Sequence, residues 1–343
     1  MDRICTALVQ AGYFVTLVGF EKKNSIETEQ KPYAQIRFKL LFTKGKLFYA
    51  EYNLRLFWYL LWRRFEIYNG IDLDTLLPVF LAAKIKRRPV VYDAHEYFTE
   101  LPEVVSRPGI KKMWLALERF LLPRIRYNYT VGEAIAEILS NTYGQPVHVI
   151  RNVPYLRDTP RTERKPYIVY QGALNQGRGL EPLFAAMADV DAELWVVGEG
   201  DLSAPLRALA ATFPHGDKIK FLGYKRPAVL KEITEQAMLG VNLVEHLGLS
   251  YYYSLSNKFF DYIHAGIPQV TMHFPEYTRL NAIYHVAELI PDLKPETISM
   301  AINAILKNKQ HYTTLAENTE IARRELNWQK EEEKLIAIYR QIG

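Results

Sequence analysis

Short apolar runs alternate with amphipathic helical stretches along this chain, twice over, and the rhythm breaks near the middle. Such alternation is best satisfied by parallel sheets with helices on their faces, because parallel strands need crossover connections and helices supply them. The first series opens with a helix over Asp2 to Gln10 and a strand over Phe14 to Phe20. A strand from Gln35 to Leu41, a helix from Phe48 to Arg64, a strand from Glu66 to Asn69 and a helix from Asp74 to Lys86 follow. Strands at Pro89 to Asp93, Tyr127 to Val131 and Val147 to Ile150 are then separated by helices over Gly109 to Leu122 and Glu133 to Thr142. From Arg151 to Lys165 the periodicity fails while Pro and charge accumulate, which marks a linker. The second series has strands at Tyr167 to Gln171, Glu193 to Val197, Lys218 to Phe221, Gly240 to Val244 and Gln269 to His273, and several helices close the chain. The reading is an α/β chain of two Rossmann-like domains, residues 1–155 and 156–327, with a terminal helix at 328–343 packing back towards the first. Sites in such domains lie beyond the carboxyl ends of the strands, so the two are expected to face each other across a cleft.

With 343 residues, each domain can bury a full core. The single cysteine, Cys5, excludes an intramolecular disulfide framework. The first residues show no signal-peptide pattern. The most membrane-like run, Leu54 to Trp62, is interrupted by Arg55, ends in Arg63 and Arg64, and is far too short to span a bilayer. Its Trp58 and Trp62 are expected in the core rather than as carbohydrate-stacking platforms. Charge is uneven: up to Tyr155 there are 22 Lys and Arg against 15 Asp and Glu, and the remainder carries 21 against 23. A basic first half suits an anionic lipid surface or a phosphate-bearing acceptor, and equally an ordinary solvated surface. The expectation is a cytoplasmic protein, peripheral at most to the inner face of the cell membrane, with no nucleic-acid partner.

The sharpest stretch is Ser254 to Pro268, SLSNKFFDYIHAGIP. Ser256 and Asn257 are good N-cap residues, Phe259, Phe260 and Ile263 give an apolar face, and Gly266 before Pro268 ends a helix. Lys258 falls in the first turn, where free amides and the dipole already favour an anion, so the pair suggests a phosphate seat. Asp261 lies one turn further on the same face, within reach of a hydroxyl beside that phosphate. After the first strand of the second domain comes GALNQGRG, Gly172 to Gly179, whose glycines let amides approach an anion while Arg178 adds a bidentate contact. Such a loop is also a common tight turn. In the first domain, VVYDAHEYFTELPE places Asp93, His95 and Glu96 at the carboxyl end of a buried strand. A metal site would need a second cluster at ligand spacing, and the sequence offers none.

These stretches together resemble retaining glycosyltransferases of the GT-B fold, in particular glycosyltransferase family 4. In that family a segment like SNKFFDYIHAGIP gives its Lys to the donor diphosphate and its acidic residue to the ribose. The resemblance carries these roles to Lys258 and Asp261, with Asp in place of the usual Glu. Gly172 and Arg178 match the phosphate loop, although Ala173 stands where the family usually has a first cation. VVGEGD, with Glu199, and FLGY, with Leu222 and Gly223, resemble the loops around the base and ribose. Glu245 resembles the first carboxylate of the paired-glutamate motif, but farther from its partner than is usual. His95 corresponds to the histidine that faces the donor sugar, and Asp93 and Glu96 fall on the acceptor side. The resemblance implies transfer of a sugar from a nucleotide diphosphate sugar to a glycan or lipid-linked acceptor, with retention and without a metal or other cofactor. Cell-surface polysaccharide or glycolipid synthesis is the implied setting.

A non-catalytic nucleotide-sugar-binding or scaffold protein on the same fold would also accommodate Ala173 and Asp261. A nicotinamide enzyme is disfavoured, since no G-x-G-x-x-G follows the opening strand. One element is conspicuous by its place: in a doubly wound sheet the first strand is central, yet this sequence opens on a helix. The first domain is therefore expected to lack its usual first strand, through truncation or rearrangement.

Overall fold

The computed structural model describes residues 1–21, 29–157 and 162–343, so residues 158–161 of the expected linker lie outside it. Two units emerge: Met1–Arg151 with Lys330–Gly343, and Asn152–Gln329. The division falls at Arg151, four residues before the boundary read from the sequence.

In the first unit, the helix α1 (Asp2–Gln10) buries Ile4, Cys5, Ala7 and Leu8. It leads to strand β1 (Thr16–Glu21), which pairs in parallel with β2 (Ala34–Lys39). Phe14, expected to begin that strand, lies outside it and is fully exposed. Helices α2 (Gly45–Trp62) and α3 (Asp72–Lys86) flank β3 (Tyr68–Ile71). A second parallel sheet runs β3, β4 (Val90–Ala94), β5 (Tyr127–Thr130), β6 (Val147–Val149). Among the described residues no strand joins β1 to β3. Both line a cavity of about 660 Å3, together with Ile4 and Leu8 of α1 and Leu56 of α2. The pair β1–β2 and the sheet β3 to β6 thus stand as two separate parallel sheets beside that cavity. The α2 and α3 helices meet through Tyr52, Leu56, Leu60, Val79, Ala82 and Ala83. Trp58 and Trp62, expected in this core, are instead 48% and 80% exposed, because Tyr52, Leu56 and Leu60 already fill the inward stripe of α2.

The C-terminal helix, Trp328–Arg340, brings Glu331 to the backbone amide of Arg151 and the Tyr339 hydroxyl to Asn69.

The second unit carries one six-stranded parallel sheet. Its strands are β7 (Lys165–Gln171), β8 (Glu193–Val197), β9 (Ile219–Gly223), β10 (Ala237–Asn242), β11 (Gln269–Met272) and β12 (Ala287–Ile290). The order β12-β11-β10-β7-β8-β9 reverses direction at β7, the switch point where ligands of such sheets collect. The sequence reading missed β12, whose four residues, AELI, carry too little alternation to be told from the helices on either side.

Candidate functional site

The loops at the carboxyl ends of β7, β8 and β9 lock together through glycine. Gly172 donates its N–H to the Val197 carbonyl at 3.0 Å, and Gly198 donates to the Gly223 carbonyl at 3.0 Å. At Gly198, φ is +144°, and a Cβ there would stand 1.9 Å from the Gly172 carbonyl oxygen, so no side chain fits. A Cβ on Gly172 would stand 3.5 Å from Lys258 Nζ, which puts the ammonium against the backbone of the glycine-rich loop.

Lys258 reaches this position because its helix, Asn257–Ala265, is pinned to the sheet from the other side. Phe259, Phe260, Tyr262 and Ile263 are buried, and the Tyr262 hydroxyl reaches the carbonyls of Val169 and Val241 at 3.2 and 3.1 Å. Gly240 makes room for that ring, since a Cβ there would lie 2.5 Å from it. Gly266, at φ +71°, ends the helix as its residue type implied. The start differs from expectation: Ser256 occupies the N-cap position, but its hydroxyl donates to Asn242 Oδ1 at 2.8 Å instead of capping the helix. The first-turn amides therefore keep no side-chain cap from Ser256.

Lys258 is only 8% exposed, with its ammonium 4.1 Å from the centre of the Tyr170 ring. Burial, with the Arg178 charge beside it, brings its pKa from 10.5 down to about 7, and Asp261 offsets only part of that. Arg178 itself lies over the Tyr251 ring at 5.1 Å. Two basic side chains are thus held together on aromatic faces beside a glycine turn, in surroundings that raise the cost of the Lys258 charge. An anion with several oxygens is the chemical complement of such a pair. Asp261, one turn on, accepts from Gln171 Nε2 at 2.8 Å, and Gln171 Oε1 in turn accepts from the Thr234 hydroxyl at 2.6 Å. Tyr170, Tyr251 and Gln171 were not picked out from sequence. Aromatic and amide residues at strand ends give no periodic signal that separates them from core.

Gly172, Arg178 and Lys258 are therefore gathered at one place, with Asp261 adjoining. Glu199 stands further out, half-exposed, and pairs with Arg207 at 2.7 Å. Its carboxylate is held below the usual range by the Ser203 hydroxyl and then by Arg207. Leu222 packs against the Tyr167 and Val197 cluster. The Gly223 carbonyl is committed to Gly198. Glu245 donates its own N–H to the Gly177 carbonyl at 3.0 Å, and its carboxylate accepts from the Gly179 amide. Burial and neighbouring Glu181 raise its pKa. One amide at the mouth of the short helix Leu180–Ala186, expected to serve a phosphate, is thus already used by Glu245.

On the first unit, Asp93 is buried at the end of β4 and accepts from the Tyr129 hydroxyl at 3.0 Å. His95 Nε2 lies 3.2 Å from the other Asp93 oxygen. Burial alone would lower the imidazole pKa, but the Asp93 carboxylate outweighs it and the net shift is upward. Glu96 is exposed beside them. A residue the sequence reading passed over completes the group: Asp72, at φ +55°, accepts the His95 backbone N–H at 2.9 Å. Burial pushes Asp72 up to about 7 and its neighbour Asp74 to about 6. No local sequence pattern marks Asp72; Gly70, two residues earlier, leaves room for Leu76, where a Cβ would lie 2.6 Å away. Among the described residues no three His, Cys, Asp or Glu side chains are grouped as metal ligands.

Two doubly wound α/β units with these strand-end loops define a glycosyltransferase of the GT-B class, and comparison with known proteins agrees. Residues 1–153 match the Glycosyltransferase Family 4 model and residues 155–321 match Glycosyl transferases group 1. The chain belongs to this family. Among solved structures, sucrose-phosphate synthase from Thermosynechococcus elongatus superposes with a TM-score of 0.79 at 18% identity, covering 99% of this chain and 92% of that one. Anabaena HepE in complex with UDP-glucose gives 0.70 at 14% identity, with 90% and 86% covered. WaaG, a glycosyltransferase involved in lipopolysaccharide biosynthesis, gives 0.66 at 13%, with 97% and 92% covered. A comparison with curated proteins gives no match.

Proposed function

We propose that this glycosyltransferase binds a nucleoside diphosphate sugar on its second unit and transfers the sugar, with retention, to a hydroxyl of a glycan or lipid-linked acceptor. The observation that carries this reading is the buried Lys258 with the partly buried Arg178 beside it and Gly172 against it, a site whose repulsion an incoming diphosphate relieves. As the glycosidic bond breaks, negative charge grows on the departing diphosphate, and two preorganised cations stabilise it more than the ground state. In this reading they do so without a divalent ion. Asp261 serves the ribose, the loops at Glu199 and at Leu222 to Gly223 border the base, and Glu245 lies by the sugar. His95, oriented by Asp93, faces the sugar, with Glu96 towards the acceptor. The reaction is placed in the cytoplasm, in synthesis of a cell-surface polysaccharide or glycolipid, with the protein peripheral to the membrane that holds its acceptor. HepE, crystallised with UDP-glucose, supports a nucleotide-sugar donor.

A second reading, donor binding without turnover, draws on Glu245, which takes up the Gly179 amide. The test is a thermal-shift panel of UDP, GDP, ADP and dTDP and their sugars in the presence of chelator, followed by sugar release and transfer. Binding is expected to raise Tm by mass action without added metal. Binding with no release or transfer selects the second reading. Transfer that chelator abolishes and Mg or Mn restores overturns the metal-free assignment.

A further inference from the structure

Helix α2 is apolar on more than one side. Its inward stripe packs on α3, yet Leu47, Leu54, Trp58 and Trp62 are exposed by 58, 60, 48 and 80%. At ~100° per residue these four fall within about 80° of arc and run for roughly 22 Å along the helix. Next to them, α3 exposes Leu81 and Ile85 by 41 and 61%. An exposed apolar stripe of this extent marks an interaction surface. The helices end together, since the Lys86 ammonium donates to the Arg63 carbonyl. Residues 44–64 and 79–88 hold nine Lys and Arg and one carboxylate. That carboxylate, Glu51, is taken up by Arg55 and the backbone amides of Leu41 and Phe42.

We propose that the α2–α3 face docks onto an anionic lipid bilayer surface, with Trp58 and Trp62 entering the headgroup region and the surrounding cations on the lipid charges. Charge complementarity selects this occupant. A protein partner for an apolar patch has no need of nine cations around it, whereas an anionic leaflet attracts such clusters and Trp is favoured at its interface. No described helix is long and apolar enough to cross a membrane, so the contact is with the surface. This gives the peripheral contact of the proposed function a definite face, and it is tested without donor or acceptor, so either can fail alone.

The experiment is sedimentation of the full chain with vesicles of phosphatidylcholine, with and without phosphatidylglycerol, together with Trp emission. Binding is expected only to the anionic vesicles, accompanied by a blue shift from the two exposed indoles, and it is expected to weaken with salt. Trp58→Ser with Trp62→Ser should lower vesicle partitioning at least tenfold. Trp58→Phe with Trp62→Phe should keep binding and lose most of the blue shift, which controls for folding. Arg63→Glu with Arg64→Glu should cost roughly fivefold per charge or more. Equal binding to neutral vesicles, or binding untouched by the serine and glutamate pairs, overturns the proposal. So does a dimer that the serine pair turns into a monomer, which would assign the face to a second copy.

Discussion

Replacing Lys258 by Met is expected to stabilise the ligand-free protein while removing most of its affinity for nucleoside diphosphates. The ammonium titrates near 7 in the folded chain instead of at 10.5. At about 1.4 kcal/mol per tenfold change, its charged form is disfavoured there by about 5 kcal/mol. Met keeps much of the length without the charge, but gives up the contact with Tyr170, worth up to ~2 kcal/mol in a desolvated setting. The net gain expected is about 1–3 kcal/mol, some 2–4 °C in Tm for each kcal/mol in a unit of this size. The diphosphate, in contrast, loses a charge-assisted contact of roughly 1.5–3 kcal/mol, while a nucleoside is hardly affected. pH separates this from ordinary repacking. Between about 7 and 10.5 the unfolded chain holds the Lys258 proton and the folded chain does not, so stability rises with pH through that window. A bound diphosphate restores the proton, so affinity falls above pH 7, by at most about tenfold per pH unit. Both slopes should vanish in Lys258→Met. Thermal melts across pH, with and without the diphosphate, read all four quantities. A variant less stable than the parent, with diphosphate affinity unchanged, would refute the reasoning.

Gly198→Ala should destabilise by more than about 3 kcal/mol in urea titration, because its Cβ must displace the backbone of the neighbouring loop; a mild effect would mean that the three loops are not locked as described. Asp93→Asn should lower the His95 pKa, followed by imidazole NMR, and reduce turnover with nucleotide affinity intact. The wild-type ion pair stabilises fully at pH below the ordinary His value and fades as pH rises through the higher native one, so this slope too should disappear in the variant. Glu245→Ala should cost about 1 kcal/mol of stability through the Gly179 amide, which Glu245→Gln largely keeps. If both variants retain full transfer, the carboxylate has no part at the sugar.

Most of the fold was legible because a parallel sheet with helices on both faces writes its pattern into consecutive residues. The strand β8 sits where its apolar run places it, β11 ends one residue early, and β7 begins two residues before its expected start. What failed was what depends on competition for space. Trp58 and Trp62 read as core because they are large and apolar, but the inward stripe of α2 was filled by Tyr52, Leu56 and Leu60. Composition cannot decide which of two apolar stripes a neighbouring helix takes.

The site shows the same division more sharply. Lys258, Arg178 and Gly172 could be found because each belongs to a local pattern, a helix start or a glycine turn, whose geometry follows from a few adjacent residues. Glu245 and Ser256 could not be assigned their contacts in the same way, because each has rivals for its polar atoms that come from remote segments. The Ser256 hydroxyl prefers Asn242, fourteen residues away, to the amides of its own helix. Glu245 binds Gly179 across more than sixty residues. Asp72 is the extreme case, since an aspartate after a strand reads as an ordinary helix start. Its distinction lies wholly in a positive φ and in a bond to the backbone of His95, both of them products of packing. A strained carboxylate held near neutral acidity against the backbone of His95 ties the end of β3 to the end of β4.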